Sequence, residues 1–265
     1  MRFALIRKTW LDQRRSVLWW ILGIGILCTV QLWVYPTIRD SAAALQKFLD
    51  LYPDALKKIF RMQDYTSGPG YLSTELFSLM LPLILIAIGC SAGARAGAQE
   101  EEDGTADLLL ALPISRRQVL INKVAANLVV LSLFGALIFL ALALGSPVVD
   151  LHISSTHLLA GVINTTLLGV AFTSLTTFAG AASGRKGLAL GVGVGSALTF
   201  YILFSLAGLV YSFEHVLPIN PFQWTIGHAP LFNGMDWAGS AKLAGISGFF
   251  LLASVWAFDR RDIRS

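Results

Sequence analysis

Charge is scarce in this chain, and so are the residues that build common soluble scaffolds. Of 265 residues, 14% are Asp, Glu, Lys or Arg, against about a quarter in an ordinary globular domain. There are two cysteines, four histidines and nine prolines. Two cysteines exclude a disulfide-stapled framework. The 24 glycines follow no three-residue period, which excludes collagen, and a chain that is 55% hydrophobic is not a disordered tail. There is no G-x-x-x-x-G-K-[ST] phosphate loop. The stretch Gly180-Ala181-Ala182-Ser183-Gly184-Arg185-Lys186 has the wrong spacing and residues for one. In place of charge the chain has long apolar runs.

A helix needs about 20 mainly apolar residues to cross a bilayer. Six stretches meet that length: roughly 17–36, 74–97, 124–145, 158–182, 187–211 and 239–258. The sequence therefore predicts an all-α membrane protein with six transmembrane helices in a single domain, 1–265. The last span is short between charges, but Lys242 can snorkel to the interface. External loops fall at 37–71, 146–157 and 212–238. Within the last, Pro218, Asn220, Pro221, Pro230 and Asn233 forbid a seventh span. That segment reads either as short interfacial or re-entrant pieces or as a plain surface loop.

Lys and Arg set the orientation. Fourteen of them, including Arg2, Arg7, Lys8, Arg116, Arg117, Arg185, Lys186 and Arg260, fall on one side, and six on the other. Both termini are expected in the cytoplasm, and six spans agree with that. The net charge of +4 follows from this bias, so it is no sign of nucleic-acid binding. The first span is too long for a signal peptide and has no small-residue cleavage site, so it should stay as an anchor.

Outside the bilayer, residues 2–15 read as an amphipathic helix on the membrane surface, with Phe3, Ile6 and Trp10 at helical spacing. The loop 37–71 repeats such a pattern at Leu45, Phe48, Leu49 and Tyr52, and again at Leu56, Ile59 and Phe60. Glu75 reads as a helix-start residue. Cys28 and Cys90 fall inside spans, as packed small apolar residues.

The segment 98–118 is different in kind. Glu100, Glu101, Glu102 and Asp103 stand together on the side where positive charge is the norm. Gly104 offers a break, and residues 105–112 fit a short helix with an apolar face. Pro113 ends it, and Ser115 with Gln118 forms a capping box that starts the third span. An apolar run such as Leu108-Leu109-Leu110 in water tends to dock on something. A short, stiff element between two spans can transmit movement from a soluble partner.

The run Glu102-x-Gly104-Thr105-x-Asp107-Leu108-Leu109-x-x-Leu112-Pro113-Ile114-Ser115-Arg116 resembles the signature of ABC-2-type transporter permeases, the membrane subunits of ATP-binding-cassette exporters. The basic N-terminal helix, the amphipathic first external loop, Asn220-Pro221-Phe222 and the C-terminal Phe258-Asp259-Arg260-Arg261-Asp262 extend the likeness along the chain. The resemblance implies a non-catalytic permease subunit in a prokaryotic plasma membrane. It implies two copies of an ATPase subunit, which hold the ATP and Mg, and a second permease copy as homo- or heterodimer. This chain itself would bind no cofactor or metal. Residues Glu100–Ser115, with Arg116, would include the coupling helix that docks on the ATPase. Spans two and five of such permeases commonly meet across the dimer. The implied activity is export of a drug, peptide, lipid or similar cargo, and a role in maturing an extracytoplasmic metalloenzyme is also compatible.

Two glycine ladders, Gly89, Gly93 and Gly97 in span two and Gly187, Gly191 and Gly195 in span five, each line one helix face. Such faces allow close backbone approach, within one subunit or at a dimer seam. Thr165, Thr166, Thr173, Ser174, Thr176 and Thr177 in span four read as locally bonded hydroxyls or as a polar wall for substrate. No charge sits near a span midpoint, which points to an external energy source. A membrane-embedded protease is the competing class. Its glutamate pair, Glu101-Glu102, lacks the arginine four residues on, where Ala106 stands, and Gly89-Cys90-Ser91-Ala92 lacks the closing glycine of a serine-protease motif. Asp150, His152 and His157 are too scattered for a strong metal signal. A non-transporting scaffold would have no need of the acidic segment.

Overall fold

The structure is a computed structural model that describes residues 2–51, 64–102, 104 and 115–260. Among these there is no β-strand. Six helices are long and apolar enough to cross a membrane: Arg15–Asp40, Gly68–Gln99, Arg117–Gly145, Ser155–Ser183, Lys186–Leu206 and Trp237–Arg260. They are spans one to six below.

Span one belongs to a single helix, Arg2–Asp40. The expected amphipathic segment 2–15 is helical and runs into the span without a break, since residues 2–22 contain neither Gly nor Pro. Ser41 turns the chain into a short helix, Ala42–Asp50. Tyr52, Leu56, Ile59 and Phe60 lie outside the described residues. Span two starts at Gly68, six positions before the sequence expectation. The Ser67 Oγ accepts from the Gly70 N–H at 3.1 Å, and Pro69 suits the first turn. Gly68 is required there, because a Cβ would overlap the Leu151 backbone. The span widens into π-helical turns at Ser73–Met80 and then continues as an α-helix, Leu81–Glu102.

Span four is capped by Ser154, which accepts from the His157 N–H at 3.2 Å, and it ends at Gly184 with φ +65°. Span five stops at Leu206, short of the expected 211. The N–H groups of Leu209 and Val210 both return to the Leu206 carbonyl and close the helix. The segment that follows is neither a span nor a plain loop. It holds short helices at Tyr211–Glu214, Leu217–Ile219, Pro221–Ile226 and Pro230–Asn233. Pro221–Ile226 packs on spans four, five and six, with Asn220 and Phe222 fully buried. Asn220 satisfies itself there: its Nδ2 donates to the Phe200 carbonyl at 2.8 Å and its Oδ1 accepts from the Phe222 N–H at 2.9 Å.

Spans four and two form the core. Of their apolar windows, 67% and 61% are buried, against 17–33% in the other four spans. Span four packs along spans two, three, five and six, and span one packs chiefly on span three. Polar ties cross the bundle. The Asn127 Nδ2 donates to the Ala92 carbonyl at 3.1 Å, the Ser240 hydroxyl to Asn164 Oδ1 at 2.7 Å, and the Tyr71 hydroxyl to Gln31 Oε1 at 2.6 Å. The outward faces are apolar, with Leu18, Leu22, Ile26, Val129, Leu140, Phe249 and Leu252 exposed. A water-soluble surface does not present this much contiguous apolar area. Exposed Trp19 and Trp256 lie toward one end of the bundle, and exposed Trp33 and Trp237 toward the other, the arrangement of two interfacial aromatic belts.

Candidate functional site

The helix of span two runs beyond the apolar core as far as Glu102. Gly104 follows at φ +65°, and its N–H returns to the Glu101 carbonyl at 3.2 Å. A left-handed residue here ends the helix, and Gly adopts it without a Cβ penalty. Asp103, Thr105, Asp107, Leu108, Leu109 and Pro113 lie outside the described residues. The chain is described again at Ser115, the N-cap of the third long helix, whose Oγ accepts from the Gln118 N–H at 3.3 Å. Arg116 is the first residue of that helix, and Glu100 lies in the last turn of span two's helix.

Sequence reasoning did not foresee what Glu102 does. Its Oε2 accepts from the backbone N–H of Lys186 at 2.9 Å, across 84 positions. Lys186 opens span five, whose N-cap position is held by Arg185 without any side-chain cap bond. A carboxylate borrowed from span two therefore supplies the anion that a helix N-terminus favours. The turn itself is tight: Gly184 closes span four, and Ser183 Oγ accepts from the Arg185 N–H at 3.3 Å. The end of span two and the start of span five are thus joined at the mouth of the acidic segment.

The two glycine ladders face different surroundings. Gly89, Gly93 and Gly97 press on span four, where a Cβ on Gly93 would lie 2.6 Å from the Thr173 carbonyl and one on Gly97 2.7 Å from the Thr177 carbonyl. Gly187, Gly191 and Gly195 have nothing within 4 Å of a Cβ position. Span five's contact glycine is Gly193, out of phase with that ladder, against Thr176 and Cys90. Thr165, Thr166, Thr173, Ser174, Thr176 and Thr177 each donate to the carbonyl four residues back, at 2.7–2.8 Å.

Residues weighed for other chemistry are occupied structurally. The Ser91 Oγ accepts from Arg95 at 2.6 Å, and Cys90 is buried between spans two, four and five. His152 Nδ1 lies 2.6 Å from the Asp150 carbonyl, and His157 Nδ1 3.2 Å from the Leu231 carbonyl. Among the described residues no three His, Cys, Asp or Glu gather as a metal site. At the end of the bundle opposite Glu102, a cleft of about 400 Å³ is lined by Glu214, Trp224, His228, Asp236 and Lys242. Lys242 Nζ stands 5.6 Å from the Trp224 ring centroid. At that same end the Tyr65 hydroxyl donates to Glu75 at 2.6 Å. Burial, and then the Glu75 carboxylate, push the Tyr65 phenol above its ordinary range.

These features define a multi-pass α-helical membrane protein with an acidic connector between its second and third spans. The family described as "ABC-2 family transporter protein" matches residues 3–263, and the chain belongs to that family. It is therefore a transporter-class membrane component. A relative in Pseudomonas aeruginosa, the probable ABC transporter permease protein NosY, is 29% identical over 194 residues. The match covers 70% of this chain and 66% of that protein, so the chain spans just under two thirds of the relative's length.

Proposed function

We propose that the chain is the permease subunit of an ATP-binding-cassette exporter, powered by a separate ATPase subunit present in two copies. Both termini and the connector 98–118 lie in the cytoplasm of a prokaryotic cell, and the spans cross its plasma membrane. ATP and Mg are held in the partner, and this chain performs no chemistry of its own. When ATP binds, the two ATPase subunits draw together and push the connector. Glu102 carries that displacement directly to the N-terminus of span five, because its carboxylate holds the Lys186 amide. The spans then exchange one packing for another and open the path outward, the two-state behaviour that alternating access requires.

The hydrogen bond from Lys186 to Glu102 is the observation that carries this reading, since it joins the acidic segment to a span. A second permease copy is proposed to meet this one along the open Gly187, Gly191 and Gly195 face of span five. Small residues there let two backbones approach closely. The largely uncharged spans suit an amphiphilic or hydrophobic cargo, such as a drug, peptide or lipid. The test replaces Glu100, Glu101 and Glu102 together with alanine. Loss of ATPase-subunit co-purification, of transport, or of both is expected. Unchanged co-purification together with unchanged transport would show that the segment does not couple.

A further inference from the structure

Arg95 lies in span two, four residues before the apolar helix ends at Gln99. A basic side chain in that position ordinarily extends outward to the nearer water layer. Arg95 turns the other way. A terminal guanidinium N–H donates to the Ser91 Oγ at 2.6 Å, one turn deeper in the span. Its Nε is buried, with no hydrogen-bond partner among the described residues. A guanidinium is planar and presents its donors as a fork that fits a carboxylate or phosphate. A buried N–H left without an acceptor is costly. An arginine held inside the apolar zone therefore has the character of a site awaiting an oxyanion.

Its position agrees. Gly89, Gly93 and Gly97 turn one face of span two to span four, and Cys90 and Ala94 turn the next to span five. Ala87, Ser91 and Arg95, spaced by four, share a further face that is exposed or half-buried. Ionisable groups inside membrane helices characteristically line substrate paths. We infer that Arg95, held by Ser91, binds the anionic head, a carboxylate or phosphate, of an amphiphile moving along span two. This rests on the permease reading and adds the charge of the cargo.

The experiment measures equilibrium binding to the purified full-length chain in a neutral maltoside detergent. The probes are dodecyl phosphate, dodecyltrimethylammonium and inorganic phosphate. The wild type is expected to prefer dodecyl phosphate over both. Arg95→Gln should weaken dodecyl phosphate roughly tenfold, as loss of a charged hydrogen-bonded partner implies. Arg95→Lys should keep part of the affinity, because the charge stays and the fork is lost. Ser91→Ala, which keeps the cation but frees it, should weaken binding less than Arg95→Gln and serves if that variant does not fold. Equal affinity for dodecyl phosphate in wild type, Arg95→Gln and Ser91→Ala would overturn the assignment. So would a wild type that fails to prefer dodecyl phosphate over dodecyltrimethylammonium. Inorganic phosphate binding as tightly as dodecyl phosphate would overturn the amphiphile. None of these measurements uses the ATPase subunit, so their failure leaves the coupling proposal standing, and failure of the alanine series leaves the Arg95 result standing.

Discussion

The Glu102 carboxylate and the Lys186 backbone amide meet at 2.9 Å, although 84 positions separate them. The bond caps span five with a side chain from span two, so the two helices share a terminus. Glu102→Ala should lower the stability of the isolated chain by about 0.3–1 kcal/mol, the usual worth of an exposed anion at a helix N-terminus. In the assembled transporter it should reduce transport-coupled ATP turnover more than it reduces subunit assembly. Thermal midpoints in detergent and ATPase rates in lipid vesicles check the two halves separately.

Gly97→Ala and Gly191→Ala should behave oppositely although both lie in glycine ladders. A Cβ on Gly97 meets the span-four backbone at 2.7 Å. Backbone cannot rotate away as a side chain can, so overpacking of about 1–3 kcal/mol is expected. Gly191 has nothing within 4 Å, so alanine there meets no neighbour and, inside a helix, should raise the monomer's stability by about 0.5–1 kcal/mol. Gly191→Phe should keep the fold and disrupt the proposed dimer. Denaturation midpoints and the oligomer mass of each variant decide.

Tyr71→Phe should destabilise the chain by about 1–3 kcal/mol. The buried Tyr71 hydroxyl donates to Gln31 Oε1 at 2.6 Å, and the substitution leaves that amide oxygen in an apolar core without its donor. The double variant Tyr71→Phe, Gln31→Leu should recover part of the loss in the same denaturation measurement, because both polar partners are then gone.

Alkaline pH should destabilise the wild type through Tyr65. Its phenol is raised by burial and by Glu75 in the folded chain, while the unfolded value is about 10. The stabilisation is therefore fully present below about pH 10 and is lost as pH rises toward the folded value. Tyr65→Phe should be less stable at neutral pH and should lose less on going to alkaline pH. Thermal midpoints of both proteins, compared across that range, check it.

Much of the fold was legible from where charge is absent, since a bilayer demands long apolar helices and little else satisfies that pattern. Ser115 with Gln118 and the self-bonded threonines of span four were also readable, because each is a local rule. What escaped depended on contacts between distant parts of the chain. The role of Glu102 required knowing that spans two and five end together. The phase of span five, with Gly193 inward and Gly187, Gly191 and Gly195 outward, is set by Thr176 and Cys90 on other helices. By sequence Arg95 is one of the fourteen basic residues on one side, grouped with those of the second connection, and its bond to Ser91 turns it inward. The buried Asn220 was hidden because proline-rich segments read as loops whether or not they pack.

The most direct measurement is the mass of the native complex formed when this chain is co-expressed with an ATP-binding-cassette ATPase from the same cell and extracted in mild detergent. Two permease chains with two ATPase chains, lost when Glu100, Glu101 and Glu102 become alanine, is the expected result. A chain that purifies without any ATPase, and that hydrolyses peptides on its own, would contradict it.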